Sequence, residues 1–191
     1  MLKNELDKHP RKEKGEKKEL NKSDVLGWVY SGLIILAVYI IFYHVLMITN
    51  VASGSMEPTL MTGGNCVMNR LAYVNNDVQR GDIVSFYSDE FDLDFTKRVI
   101  GLPNDKIEFI DGYVFINGQM CIEDYIPEDV ETNCSKTFEV PDGCYFMLGD
   151  NRENSLDSRY WNNPYIPKNK IEGRLIFYTD ILKSIKNFFA K

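Results

Sequence analysis

The chain has 191 residues, of which 44% are hydrophobic, and a net charge of -6; this size suits one folded domain with appendages. Residues 1–25 hold eight Lys or Arg and six Asp or Glu, so the acidic surplus lies in the remainder. Such a surplus argues against nucleic acid as a partner. The four cysteines form no CxxC pair and have no neighbouring histidines, which argues against a zinc site.

The N-terminal part of the chain divides into a polar tail and a long apolar run. Residues 1–24 are rich in lysine and lack apolar periodicity, which predicts a flexible basic tail. Residues 25–48 are mostly apolar and carry no Asp, Glu, Lys or Arg. This run meets the ~20 residues that a helix needs to cross a bilayer, and it exceeds the roughly 7–15 residues of a signal-peptide core. We therefore expect an uncleaved transmembrane anchor over 25–48.

The charges that flank the apolar run predict its orientation. Eight Lys or Arg precede it, and none follows it before Arg70. The positive-inside rule then places the tail in the cytoplasm and residues 49–191 outside the cell membrane. Residues 49–55 span only about 20 Å even when fully extended. Ser55 is thus expected close to the outer face of the membrane.

After Leu60 the pattern changes to short runs of β-branched and aromatic residues, which are typical of strands. Asp111-Gly112 and Asn117-Gly118 each adjoin such a run and favour tight hairpin turns. We therefore predict a mainly β fold, with an antiparallel β-sheet domain at residues 49–191 after one N-terminal transmembrane α-helix. The predicted strands are 65–71, 82–87, 95–100, 106–110, 113–116, 136–140, 144–148 and 171–178.

Two features of the β domain stay open on the residues alone. Cys121 and Cys134 would be joined if the domain faces an oxidising compartment, and they would otherwise be free thiols. Apolar residues recur at helical spacing from Ile181 to Phe189, with lysines between them, which predicts a C-terminal amphipathic helix. That helix would either pack on the domain or lie on the membrane surface.

A stretch rich in hydroxyl groups, residues 53–60, follows the anchor closely. Its serines, glycine and proline suit an ordinary turn. Ser55 would be a nucleophile only with a base nearby, because a serine hydroxyl is weakly nucleophilic at neutral pH. The histidines, His9 and His44, lie in the tail and in the apolar run. A catalytic interpretation of Ser55 therefore requires a lysine.

Lys97 is the candidate base. It alternates with Phe95 and Val99 in a predicted strand, so its side chain shares their face of the sheet. Burial on that face would lower the pKa of Lys97, as a lysine general base requires, and the adjacent Arg98 would act in the same direction if it lay close in space. The alternative is a lysine that extends to the surface.

A second polar stretch, residues 149–161, follows an apolar run; we call it the signature loop. Its many hydrogen-bonding side chains predict an ordered loop, in which Asp157 pairs with Arg159 and a serine hydroxyl holds the lysine amine. The alternative is a loop of turn-forming residues without a catalytic task.

Four stretches, in this order, resemble the type I signal peptidases, which are membrane-anchored serine proteases that remove signal peptides from exported proteins. Residues 53–60 look like the nucleophile motif of that family, 80–84 like its next motif, 97–105 like its lysine motif and 149–161 like its signature. The preceding transmembrane helix matches as well. Asn104 and Glu153 depart from the commonest pattern, which has glycine and aspartate there.

The resemblance implies a Ser/Lys dyad, with Ser55 as the nucleophile and Lys97 as the general base of an acyl-enzyme mechanism. It implies no metal and no cofactor. The further roles that it implies are an oxyanion hole from the Ser55 amide and the Ser53 hydroxyl, orientation of Lys97 by Ser155, support from Asp150 and from an Asp157–Arg159 ion pair, and a pocket for small side chains lined by Met56 and Leu60.

The resemblance also implies a substrate class, namely exported preproteins that are cleaved after small-x-small sites. We expect contact with membrane lipid and a monomeric protein. One alternative is a catalytically inactive, membrane-anchored β domain that assists the assembly of surface proteins. A self-cleaving regulatory Ser/Lys protease is disfavoured by the anchor and its orientation. Sortase-like transpeptidation is disfavoured because the domain has no histidine outside the membrane.

Overall fold

The computed structural model describes residues 21–180. The predicted C-terminal amphipathic helix, and all but the last residues of the predicted basic tail, lie outside the described residues. The chain forms two compact units, Met1–Ile40 and Ile41–Lys191. The first contains most of the apolar run, and the second contains the sheets.

The apolar run forms a single helix, α1 (Lys22–Val45). Its 24 residues extend over about 36 Å at 1.5 Å per residue, which exceeds the ~30 Å hydrocarbon core of a bilayer. Large apolar side chains are exposed along its length, including Trp28 at 73% and Ile35 at 69%. None of the residues in its most apolar window is buried. The helix is consistent with a single-pass membrane anchor.

The helix ends at Val45, before the end of the predicted anchor. Leu46–Asn50 forms a strand instead, which pairs antiparallel with the strand at Asn65–Asn69. The apolar character of residues 46–48 suits either structure, so pairing with a distant strand determines where the helix stops.

Eleven strands occur within residues 21–180. In chain order they are β1 (Leu46–Asn50), β2 (Asn65–Asn69), β3 (Ile83–Ser88), β4 (Leu93–Gly101), β5 (Lys106–Ile110), β6 (Tyr113–Ile116), β7 (Gln119–Met120), β8 (Phe138–Glu139), β9 (Cys144–Leu148), β10 (Tyr165–Pro167) and β11 (Ile171–Thr179).

The strands form a large and a small antiparallel sheet. The large sheet has the order β1-β2-β11-β3-β4-β9-β10, and the small sheet has the order β7-β6-β5-β8. The predicted fold class, mainly antiparallel β with one N-terminal apolar helix, is confirmed. All eight predicted strands are present. The strands that sequence reasoning missed are β1, which continues the apolar run, and the very short β7 and β10.

Both predicted hairpin turns are confirmed. Asp111 and Gly112 join β5 to β6 with φ angles of 50° and 82°, and Asn117 and Gly118 join β6 to β7 with 53° and 79°. Two successive positive φ angles define the type I′ turn, whose twist matches that of a hairpin. Local sequence therefore sets the geometry of the small sheet.

The two sheets share an apolar core. Ile107 of β5 and Val114 of β6 pack in one cluster with Phe146 and Leu148 of β9. This cluster fixes the small sheet against the strand that leads directly into the signature loop. The loop is thereby anchored to both sheets.

The four cysteines are free thiols. Cys66 is buried, while Cys121, Cys134 and Cys144 are partly exposed. Burial raises the pKa of the Cys66 thiol and that of Cys121. Of the two states left open by the sequence, the structure has Cys121 and Cys134 unjoined.

Candidate active site

Lys97 of β4 is buried, with 1% of its surface exposed. Its Nζ atom lies 5.8 Å from the centroid of the Phe95 ring. Burial lowers the pKa of Lys97 from 10.5 to about 8. The negative charges of Asp157 and Asp150 raise this pKa, whereas the positive charge of Arg159 lowers it further. The prediction of a desolvated amine on the Phe95 face is confirmed.

Arg98 does not have the effect that the sequence predicted. Successive side chains of a strand point to opposite faces, and Arg98 binds Asp150 instead. Its Nε donates to Asp150 Oδ1 at 2.8 Å, and its Nη2 donates to Oδ2 at 2.6 Å. The effect that Arg98 would have had on the pKa of Lys97 if it lay close in space comes from Arg159 instead.

Ser155 holds the amine of Lys97. Lys97 Nζ donates to Ser155 Oγ at 3.1 Å, and this contact is buried. Behind it, Arg159 Nε and Nη2 donate to the two carboxylate oxygens of Asp157, each at 2.9 Å. Asp157 Oδ2 also accepts a hydrogen bond from the Gly149 amide at 3.1 Å. Such paired, charge-assisted contacts fix the loop that carries Ser155.

Ser55 lies in a single 3-10 turn at Gly54–Met56 and is partly exposed. The exposed Ser53 hydroxyl donates to Ser55 Oγ at 3.3 Å. Asn151 of the signature loop also binds this turn. Its backbone amide donates to Ser55 O at 3.1 Å, and its side-chain Nδ2 donates to Gly54 O at 2.9 Å. Asn151 belongs to the predicted loop, but sequence reasoning gave it no role.

Gly149 lies between the Ser55 turn and Ser155. A Cβ atom added to Gly149 would lie 2.1 Å from Ser155 Oγ and 2.4 Å from Ser55 O. These two oxygens are therefore close neighbours across one glycine, and Ser155 Oγ is in turn bonded to Lys97. The structure thus brings the Ser55 turn, Ser155 and Lys97 close together, while their catalytic roles stay predictions.

Asp150 links the loop to the segment that follows Ser55. Its carboxylate is 1% exposed and binds Arg98 on one side. On the other side it accepts a hydrogen bond from Thr59 Oγ1 at 2.6 Å. Sequence reasoning missed Thr59, although it lies inside the predicted nucleophile motif. A hydroxyl group in that motif was the signal that could have indicated its role.

Arg152 has a buried side chain and directly follows Asn151, which is bound to Ser55 O. Its Nη1 donates to Glu123 Oε2 at 2.8 Å and to the Thr132 hydroxyl. Its Nε donates to Gly149 O at 3.1 Å. Glu123 and Thr132 come from the segment between β7 and β8, where no sequence pattern indicated a role in the site.

Met56 and Leu60 are each 1% exposed. They pack in a cluster with Cys66, Met68 and Ile83, which holds the segment between β1 and β2 against the large sheet. Met56 is thus the buried residue of the Ser55 turn, and Leu60 is buried just after it. Their contact with a substrate side chain stays a prediction.

No group of three or more His, Cys, Asp or Glu side chains is arranged to hold a metal ion within residues 21–180. The reactive groups that the site presents are a partly exposed serine hydroxyl and a buried amine with a lowered pKa. A nucleophile and a base of these two kinds are what nucleophilic catalysis by a serine with a lysine base requires.

A family model described as "Signal peptidase, peptidase S26" matches residues 25–179. The chain belongs to this peptidase family. The match runs from within α1 to the end of β11, so it includes every residue of the candidate site. The resemblance found in the four sequence stretches is thereby confirmed, and the comparisons give no support to an inactive β domain.

Relatives within the peptidase S26 family come from several bacteria. The chain is 40% identical over 132 residues to a Synechocystis sp. protein named "Probable signal peptidase I-2", covering 65% of this chain and 58% of the relative. It is 34% identical over 154 residues to "Signal peptidase I P" of Bacillus subtilis subsp. natto, covering 75% of this chain and 83% of the relative.

A solved structure is also similar to this chain. A crystal structure of a signal peptidase I from Enterococcus faecalis has 33% sequence identity and a TM-score of 0.47, covering 53% of this chain and 98% of that one. The chain spans little more than half the length of some of its relatives, such as 58% of the Synechocystis protein.

Proposed function

We propose that this chain is a signal peptidase that removes signal peptides from exported preproteins, with Ser55 as the nucleophile and Lys97 as the general base. The observation that carries the proposal is the buried Lys97 amine, whose pKa is lowered to about 8 beside the Ser55 turn of a peptidase S26 chain. An amine with this pKa is partly unprotonated near neutral pH, so it accepts a proton from a serine hydroxyl.

The reaction is acyl transfer in two steps. Lys97 Nζ takes the proton of Ser55 while Ser55 Oγ attacks the carbonyl carbon of the scissile peptide bond. The tetrahedral intermediate then expels the amine of the mature chain, which receives the proton from Lys97. Water activated by the same amine hydrolyses the resulting ester between the signal peptide and Ser55.

The Ser55 amide and the Ser53 hydroxyl form the proposed oxyanion hole. The Ser53 hydroxyl lies 3.3 Å from Ser55 Oγ, which supports its proposed role as a hydrogen-bond donor near the carbonyl group that Ser55 would attack. Donors of this kind are effective because they are already in place before the charge develops.

Ser155, Asp157, Arg159 and Asp150 support the dyad in this proposal. Ser155 keeps the Lys97 amine in place through the 3.1 Å contact. The ion pairs Asp150–Arg98 and Asp157–Arg159 fix the loop that follows Gly149. Positioning to fractions of an ångström is what a two-residue dyad requires.

The proposed cleavage site is small-x-small, with Met56 and Leu60 as the apolar base of the pocket that admits the small side chains. We further propose that α1 anchors the protein in the cell membrane with the β unit outside, that the protein works as a monomer, and that it contacts lipid. A signal peptide is itself an apolar segment, so enzyme and substrate would meet in the plane of the membrane.

The experiment compares the full-length protein in detergent with Ser55→Ala and Lys97→Ala. Each preparation is incubated with a secretory preprotein, and the product masses are measured. Ser135→Ala and Lys106→Ala are matched controls, because Ser135 is exposed and Lys106 is an exposed lysine paired with Glu108.

We expect the wild type and both controls to cut after a small-x-small motif. Ser55→Ala and Lys97→Ala should leave the preprotein intact. If the folded wild type leaves several preproteins intact, the inactive β domain becomes the better account. Cleavage by Lys97→Ala at the wild-type rate would remove Lys97 from the mechanism.

A further inference from the structure

The segment between β7 and β8, residues 121–137, reaches from the small sheet to Arg152 of the signature loop and to Arg98 of β4. Glu123 is the first contact. Its carboxylate binds Arg152, whose side chain is 0% exposed, while only 10% of the Glu123 side chain is exposed. The Thr132 hydroxyl accepts a hydrogen bond from the same guanidinium. Two residues of one segment thus hold one buried cation.

Arg152 connects this segment to Gly149, which adjoins Ser55 and Ser155. Its Nε donates to Gly149 O at 3.1 Å. Gly149 has no space for even one added carbon atom between Ser155 Oγ and Ser55 O. A shift of Arg152 would therefore move the one residue that separates Ser55 from Ser155.

Tyr125 connects the same segment to the signature loop through Arg98. Its ring lies 3.7 Å from Arg98 Cζ, measured to the ring centroid. Arg98 in turn binds Asp150 through two hydrogen bonds. The Tyr125 hydroxyl donates to Glu123 Oε1 at 2.5 Å. Burial raises the pKa of Tyr125, which favours the protonated hydroxyl that donates this hydrogen bond.

We propose that Glu123 and Tyr125 are positioning residues for the Ser55 and Lys97 dyad. Through Arg152 and Arg98 they hold residues 149–151 in the place that the dyad requires. The inference rests on the proposed function. It gives the small sheet a task in the reaction, since the segment that carries both residues is fixed at its two ends by strands of that sheet.

The primary test is Glu123→Gln in the full-length protein, which keeps the size of the side chain and removes its charge. The buried guanidinium of Arg152 then loses its carboxylate partner. We expect kcat for a preprotein to fall roughly 10- to 100-fold, with KM within about 2-fold, because the defect is one of alignment. The matched control is Glu108→Gln, a partly exposed glutamate of the small sheet, for which kcat and KM should be unchanged.

A second readout separates positioning from a merely structural role. The rate at which p-nitrophenyl acetate acylates Ser55 is measured from the burst of nitrophenol, with Ser55→Ala as the blank. This small ester makes few of the contacts of a preprotein, so its reaction reports how well the hydroxyl is activated. We expect Glu123→Gln to lower this rate in proportion to kcat, while circular dichroism shows a folded protein.

Two milder variants decide the case in which Glu123→Gln does not fold. Tyr125→Phe removes only the hydroxyl that binds Glu123, and Thr132→Val removes only the hydroxyl that binds Arg152. We expect each to lower kcat roughly 2- to 5-fold, by loss of one hydrogen bond in the network.

The proposal is overturned if folded Glu123→Gln keeps the kcat and the acylation rate of the wild type, or if it changes KM alone. With that variant unfolded, wild-type values for both Tyr125→Phe and Thr132→Val overturn it equally. A wild-type protein that neither cleaves preproteins nor reacts at Ser55 would contradict the proposed function instead, so the two failures are distinct.

Discussion

At the scale of single residues, the protonation state of Lys97 decides when the proposed dyad is active. Burial lowers the pKa of Lys97 from 10.5 to about 8, and only the neutral amine accepts a proton. The rate should therefore rise with pH through about 8 and level off above it. Below pH 7, kcat/KM should fall about tenfold per pH unit.

The measurement is a profile of kcat/KM against pH from 6 to 10, with circular dichroism at each pH to show that the protein stays folded. A rate that still rises about tenfold per pH unit up to pH 10, as expected for a lysine with the ordinary pKa of 10.5, would mean that burial does not lower the pKa of Lys97. A flat profile would count against a lysine base altogether.

The Ser53 hydroxyl gives a second prediction at this scale. Ser53→Ala removes a proposed donor to the oxyanion but leaves Ser55 and Lys97 in place. We expect kcat to fall ~10²- to 10³-fold with little change in KM, as is typical for the loss of one such donor. Steady-state kinetics with a preprotein provide the check, and wild-type kinetics for this variant would remove Ser53 from the oxyanion hole.

Single residues also show what the sequence can and cannot predict about the site. Lys97 could be found because strand alternation places it on an apolar face. The partner of Arg98 could not be found, because Asp150 lies more than fifty positions away and only the fold brings the two together. Glu123 lacks even a local pattern, since its role depends on a buried arginine contributed by another segment.

At the scale of elements, the signature loop depends on the small size of Gly149. Gly149→Ala would place a carbon atom 2.1 Å from Ser155 Oγ and 2.4 Å from Ser55 O. One of these groups must then shift, so we expect kcat to fall at least ~100-fold, the scale of loss expected from a misplacement of about 1 Å.

Steady-state kinetics check this prediction, and thermal unfolding followed by circular dichroism reports the fold. The matched control is Gly32→Ala in α1, where an added Cβ meets nothing within 4 Å. That variant should keep wild-type kinetics. If Gly149→Ala kept them as well, the contact between the loop and the Ser55 turn would be unimportant for the reaction.

The elements also differ in how far local sequence determines them. The turns at Asn117-Gly118 and Asp111-Gly112 could be predicted, because their residue types favour the positive φ angles that the turns require. The strand β1 could not be, since residues 46–48 continue an apolar run that also suits a helix. Its pairing with β2 is a property of the folded sheet, so the boundary of α1 is set by tertiary contacts.

At the scale of the whole molecule, the proposed function requires that the β unit lie on the side of the membrane where signal peptides are cut. The helix α1 supplies a candidate anchor, and the excess of Lys and Arg before it predicts a cytoplasmic N-terminus. Orientation can be measured with the thiols that the chain already has. Cys121, Cys134 and Cys144 are partly exposed in the β unit, and residues 1–24 contain no cysteine.

We expect a membrane-impermeant maleimide to label the wild-type protein in right-side-out membrane vesicles, because the three partly exposed thiols would face the reagent. The matched control is Gly15→Cys in a chain whose four native cysteines are changed to alanine. Its single thiol should be labelled only after the vesicles are permeabilised. The reverse pattern would place the β unit in the cytoplasm, where Ser55 could not meet a signal peptide that has crossed the membrane, and would contradict the proposed function as a whole.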